Sequence, residues 1–208
     1  KYLVVRMYND DQLNIKTLID YYEKVIEPNN EGPDFMVKPV FEKNNKNHIF
    51  YLAEKVPEAR KTFLPYADES KIYELTKTIY IKGGEWPEGR DYILQNSEDE
   101  NKIYHLTDII YRKGKEWPEG RDHVYQDGKG DKDQIYELTN TIYTYGGGEW
   151  PEGLDYVLQN FYKGQIYQLV KEIYRNGKEW PEGSQYVLQN FDKDDIYQLT
   201  SEIYSWGK

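Results

Sequence analysis

The sequence predicts a mainly α protein: a tandem array of αα-hairpins with a period of about 31 residues, four repeats plus a capping helix, preceded by a small α/β (βαββ) N-terminal unit. Three observations carry this. Isoleucines open successive copies at Ile72, Ile103, Ile135, Ile166 and Ile196. The tryptophans keep the same step at Trp86, Trp117, Trp150 and Trp180, each inside Glu-Trp-Pro-Glu-Gly. Within a copy, I-Y-x-L-[TV]-x-x-I-Y places its aliphatic residues on one helical stripe. The boundary falls near Pro65, giving a head of residues 1–65 and an acidic helical array of residues 66–208.

In chain order, Leu3–Met7 is a short β-branched run that predicts a strand, and Ile15, Leu18, Ile19, Tyr22, Val25 and Ile26 recur at helical spacing before Pro28-Asn-Asn30. Phe35–Phe41 and His48–Ala53 predict a hairpin around Asn44–Asn47, with Pro39 restricting the first strand to an edge or bulge. Val56–Leu64 predicts one or two helical turns with proline at the first position.

Each repeat opens with a helix of about a dozen residues. Ser70 and Asp133 are candidate N-caps, while Gly83, Gly114, Gly146 and Gly177 stand where a left-handed residue would end the helix. The second half of the unit is predicted as a shorter helix, since Trp150, Leu154, Val157, Leu158 and Phe161 form a helical stripe and Pro151 suits a first position. Gly153 weakens that helix, so a turn followed by a strand is the alternative. A lone hairpin cannot bury its apolar face, so neighbours must stack, with the fifth, half-length copy closing the array.

Composition narrows the classes of function. With 208 residues, 38% of them apolar, the chain can bury a core, and it has no apolar run long enough to span a bilayer or to serve as a secretory signal. The absence of cysteine excludes disulfides, thiolate metal sites and thiol nucleophiles, and leaves the cytoplasm as the default compartment. The head is charge-balanced, so the whole formal net charge of −10 belongs to the repeats. Such a surface disfavours nucleic acid and anionic lipid and favours basic partners. It also keeps a tyrosine-rich surface in solution.

The Glu-Trp-Pro-Glu-Gly segments supply the candidate binding residues: Trp86, Glu88, Trp117, Glu119, Trp150, Glu152, Trp180 and Glu182. Structurally, each indole would plug the seam between repeats. Functionally, the rings and carboxylates would line one edge as a repeated recognition surface. Tyrosine pairs seven residues apart, such as Tyr73/Tyr80 and Tyr136/Tyr143, flank the aliphatic stripe and are expected to be half-buried with wet hydroxyls. Paired carboxylates such as Glu85 and Glu88 recur in every copy, which argues for binding rather than a single active site. His48, His105 and His123 lack metal-ligand spacing, and no nucleophile motif, phosphate loop or calcium loop is present, so no catalytic residue, metal or cofactor is expected.

A helix followed by Trp86-Pro-Glu-Gly89 and a second helix resembles the W-G-N-G cell-wall-binding repeats of phage endolysins. The likeness covers Ile72–Leu94 and its copies; the family's units are longer, with a third helix for which this period has no room. It implies binding to peptidoglycan fragments. The residues themselves point first to a non-enzymatic interaction module, an inhibitor or decoy whose acidic repeats dock on a basic, nucleic-acid-binding protein surface. The alternative is a glycan or cell-wall binder using the Trp/Tyr edge.

Overall fold

The computed structural model describes residues 2–11, 13–26, 32–43, 45–126, 131–146 and 148–206, and these contain fourteen α-helices and no strand. The chain divides into two compact units, residues 1–96 and 97–208.

In the first unit the expected βαββ arrangement is replaced by helices: α1 (Tyr2–Asn9), α2 (Ile15–Tyr21) running into a π-helical turn (Tyr22–Ile26), α3 (Asp34–Glu42), α4 (Lys46–Lys55) and α5 (Pro57–Phe63). The strand expected at Leu3–Met7 is part of α1, and both arms of the expected hairpin are helical. Short apolar runs carry no decisive period, and here burial selects the helical one. Met36, Val37 and Val40 turn inward from α3, as do Ile49, Leu52 and Ala53 from α4. Pro39 sits inside α3, not on a strand edge. Asn45, expected in a β-turn, caps α4 by accepting from the Asn47 and His48 N–H groups at 3.1 and 3.3 Å. Asn44 and Pro28-Asn-Asn30 lie outside the described residues.

The repeat register reaches further back than the tryptophans do. Val56-Pro-Glu-Ala-Arg60 opens α5 as Trp86-Pro-Glu-Gly-Arg90 opens α7 (Pro87–Asn96), thirty residues later. Val56, Ala59 and Phe63 are buried in α5 at the positions of Trp86, Gly89 and Ile93. Helix α4 packs on α5 and also on α6 (Glu69–Ile81), which in turn pairs with α7. A degenerate hairpin therefore precedes the first recognisable copy.

The second unit repeats this layout in the hairpins α8–α9 (Glu100–Arg112, Pro118–Tyr125), α10–α11 (Lys132–Tyr145, Pro151–Asn160) and α12–α13 (Lys163–Arg175, Pro181–Asn190), followed by α14 (Lys193–Trp206). Opening helices stack in order, α8 on α10, α10 on α12 and α12 on α14, while each second helix packs on its own partner. The second half of the repeat is helical in every copy, with proline at the first position of α9, α11 and α13.

Helix ends follow the chemistry of the sequence, with one shift. The caps are Asp68 and Asp131, which accept from the Lys71 and Gln134 N–H groups at 2.9 and 2.8 Å; Ser70 and Asp133 fall two residues inside, in the first turn. At the other end Gly83, Gly114 and Gly177 are left-handed. Around Gly83 the Gly84 N–H donates to Ile79 O and the Gly83 N–H to Tyr80 O, which are the two bonds of a Schellman end.

Candidate functional site

The Glu-Trp-Pro-Glu-Gly turn is assembled from its neighbours. After the left-handed glycine the chain extends, and tryptophan takes the residue before the second helix, with φ of −144°, −141° and −140° at Trp117, Trp150 and Trp180. Proline then fixes the first helical residue. This folds the indole back over the first turn of its own helix, against the glycine three residues on. A Cβ built on Gly120 would lie 2.4 Å from Trp117 Cε3 and 2.7 Å from Thr107 Oγ1, and Gly89 and Gly153 are enclosed in the same way by Trp86 with Thr76 and by Trp150 with Thr139.

Those threonines are part of the fit. Each hydroxyl donates to the carbonyl four residues back, 2.7 Å at Thr76, 2.8 Å at Thr107 and 2.7 Å at Thr139, so a small, internally satisfied side chain faces the glycine. In the fourth copy Val170 takes this place against Gly183. The glycine that weakens the helix on propensity alone is the only residue that leaves room for the ring.

The turn therefore separates the predicted site residues. Trp86, Trp117, Trp150 and Trp180 are buried, Trp117 completely, and Trp150 bridges copies by meeting the Tyr125 ring edge-on at 5.7 Å. Glu88, Glu119, Glu152 and Glu182 are exposed in the first turns of their helices, and Glu85, Glu116, Glu149 and Glu179 are exposed just before. In the second unit these are equivalent positions of stacked hairpins, so Glu119, Glu152 and Glu182 share one edge. Carboxylates in a first turn also stabilise the helix through its dipole.

The second tyrosine of the first three pairs is more buried than expected. Tyr80, Tyr111 and Tyr143 are buried, and burial raises the pKa of all three. The Trp150 N–H donates to the Tyr143 hydroxyl at 3.0 Å, so the ring and its oxygen hold the turn. In the fourth copy the Ser184 hydroxyl donates to the Tyr174 oxygen at 2.9 Å. The first tyrosine of the pair packs on the residue that ends its own hairpin, the Tyr136 ring 5.0 Å from Phe161 and the Tyr167 ring 5.1 Å from Phe191, and its hydroxyl reaches the next copy, donating to Gln165 O at 3.2 Å from Tyr136 and to Asp195 O at 3.4 Å from Tyr167.

Cations from a neighbouring copy close the turn carbonyls, a role the sequence reading missed. Arg60 donates to Glu85 O at 2.8 Å, and Arg121 reaches Glu149 O at 3.5 Å while lying over the Trp150 ring. Lys178 donates to Ile142 O and Gly148 O at 3.2 and 3.1 Å; burial lowers its pKa and Glu149 opposes that. The arginine after Trp-Pro-Glu-Gly in the first two copies was the available signal.

In the first unit an open groove of about 630 Å³ runs between α5 and the Glu85–Glu88 turn, with Glu58, Glu85 and Glu88 as its acidic groups and Arg60 and Lys61 as its basic ones. His123 Nε2 lies 2.7 Å from a Glu100 carboxylate oxygen, which ties α9 to α8. Among the described residues no group of three or more His, Cys, Asp or Glu could hold a metal ion, and no helix is long and apolar enough to cross a membrane. Comparison with protein-family models, with curated proteins and with solved structures finds no match for this chain.

Proposed function

We propose that this protein is a non-enzymatic repeat module that docks onto a basic protein surface, of the kind used to bind nucleic acid, and so acts as an inhibitor or decoy. The observation that supports it is the division of labour in the turn: the indoles are consumed by packing, and what each turn offers to a partner is its carboxylates. Packed helices sit about 8–10 Å apart. Within the second unit such helices form stacked hairpins that present the carboxylates at equivalent positions, so their fields add over an approaching cation. An edge of stacked tryptophans, which the glycan alternative would use, has no exposed indole among Trp86, Trp117, Trp150 and Trp180.

The test is capture from lysate by the wild-type chain and by a variant carrying Glu88→Lys, Glu119→Lys, Glu152→Lys and Glu182→Lys together. The wild type is expected to retain basic proteins and the variant to lose them, while reversing Asp20 and Glu42 in the head changes little. Sedimentation of the wild type with purified cell walls, undiminished by the four reversals, would overturn the proposal.

A further inference from the structure

The groove beside α5 lies where the second unit packs a ring. Its apolar walls are Pro57, Leu64 and the edge of Trp86. In the equivalent seam of the second unit, between α9 and α11, Tyr125 meets the Trp150 ring edge-on at 5.7 Å and the Tyr156 ring at 6.0 Å, so an aromatic side chain covers the turn. The residue at Tyr125's position in the first unit is Leu64, just past α5. Leucine has no ring to lay against the indole, and about 630 Å³ stays open there. Phe63, in the place of Val124, lies 6.3 Å from the Trp86 ring but is itself buried and leaves the groove open. Helix α11 also carries leucine at this position, Leu158, but there the buried Leu154 replaces the arginine.

That arginine is common to the α5 and α9 seams and is fixed in both. Arg60 donates to Ala53 O at 3.0 Å, Glu54 O at 3.4 Å and Glu85 O at 2.8 Å, as Arg121 reaches Glu149 O. Its guanidinium is thus held on the wall by main-chain carbonyls and does not cover the opening. Around the rim Glu58, Glu85 and Glu88 outnumber Arg60 and Lys61, and Glu58 and Glu88 are exposed. Burial lowers the Arg60 pKa, and the charges of Glu58 and Glu88 oppose that, so both carboxylates act on the space beside the guanidinium.

We infer that this groove is a docking site for a tyrosine or phenylalanine side chain that a partner protein presents between lysine or arginine residues. The ring takes the place over Trp86 that Tyr125 takes over Trp150, and the flanking cations meet Glu58 and Glu88. Surfaces that bind single-stranded nucleic acid interleave aromatic rings with lysine and arginine, because bases stack on the rings. The groove is therefore a second point of contact for the class of partner proposed above, and the inference rests on that reading. A smaller side chain between the same cations would leave the apolar walls wet, so ring and charge are read together.

The experiment uses the full chain and two fluorescein-labelled peptides, Gly-Lys-Lys-Tyr-Lys-Lys-Gly and the same sequence with alanine for tyrosine, with anisotropy as the readout. The tyrosine peptide is expected to bind at least about tenfold more tightly. Leu64→Tyr gives the chain a ring of its own in that place and should remove the preference while leaving the affinity for the alanine peptide unchanged. Glu58→Lys should weaken both peptides. In the wild-type chain the Trp86 indole resonance is expected to shift on adding the tyrosine peptide and not the alanine one, a readout that needs no variant. Equal affinity for the two peptides, an unmoved Trp86 resonance, or a preference for tyrosine that survives Leu64→Tyr would overturn the inference. Equal and salt-sensitive binding of both peptides strikes the groove alone and leaves the docking of basic proteins standing. Binding of neither peptide, together with no capture of basic proteins from lysate, strikes the reading on which it rests.

Discussion

One glycine per repeat inverts the ordinary rule of helix propensity. Replacing a helical glycine by alanine normally stabilises by roughly 0.5–1 kcal/mol. At Gly120 the added methyl would stand 2.4 Å from the Trp117 ring and 2.7 Å from Thr107 Oγ1, and overpacking of that kind costs about 1–3 kcal/mol. Gly120→Ala is therefore expected to lower the denaturation midpoint, while Gly164→Ala, in α12 with open space around it, should leave it unchanged or raise it. Chemical denaturation of the two variants side by side reads the sign. Trp117→Ala empties the other half of the same joint and should cost about 3–5 kcal/mol. The buried tryptophan was legible from its recurrence at a tight turn. The reason for its glycine was not, because a contact between the ring and its own helix leaves no trace in periodicity.

At the level of elements, the repeats were readable because three signals agreed: the aliphatic stripe, proline at a first position and glycine at a helix end. The hairpin α4–α5 was hidden because two of its marks are changed, with Val56 where tryptophan stands and Ala59 where glycine stands; a smaller side chain over the turn makes room for the methyl. Helices α1, α3 and α4 were missed for another reason, since runs as short as Leu3–Met7, Phe35–Phe41 and His48–Ala53 suit either period until tertiary burial chooses. Their packing carries a pH dependence. The buried Tyr8 hydroxyl and His48 Nδ1 share a hydrogen bond of 2.7 Å, joining α1 to α4. Burial first, then Lys43, lowers the His48 pKa, against a smaller opposing effect of Asp11. A histidine whose folded pKa lies below its unfolded value of about 6.5 binds more protons when unfolded, so stability is complete above that value and falls as pH drops through the window. Thermal melts of the wild type should thus lose stability from pH 7.5 to 5.5, and His48→Gln should flatten that slope.

For the molecule as a whole, charge is the property that reaches furthest. All of the net −10 lies beyond residue 65, so a cationic protein approaching from solution meets a field with one sign and one origin. The association rate with such a protein is expected to fall at least about tenfold between low and high salt, with a smaller change in dissociation. Stopped-flow mixing across a salt series measures both; a flat association rate would remove electrostatic steering from the account. The range of the internal contacts has a different consequence. Side-chain bonds that join stacked copies in the second unit, from Thr141 to Asp108, Tyr136 to Gln165, Tyr167 to Asp195 or Lys178 to Ile142, connect residues 28 to 36 apart. Little chain has to be searched before such contacts close, and topologies of this kind fold in microseconds to milliseconds. Translation adds about 5–20 residues each second. Each hairpin can accordingly seat on its predecessor while the next is still being made, so the ribosome, rather than the search for partners, sets the pace at which this unit acquires its structure.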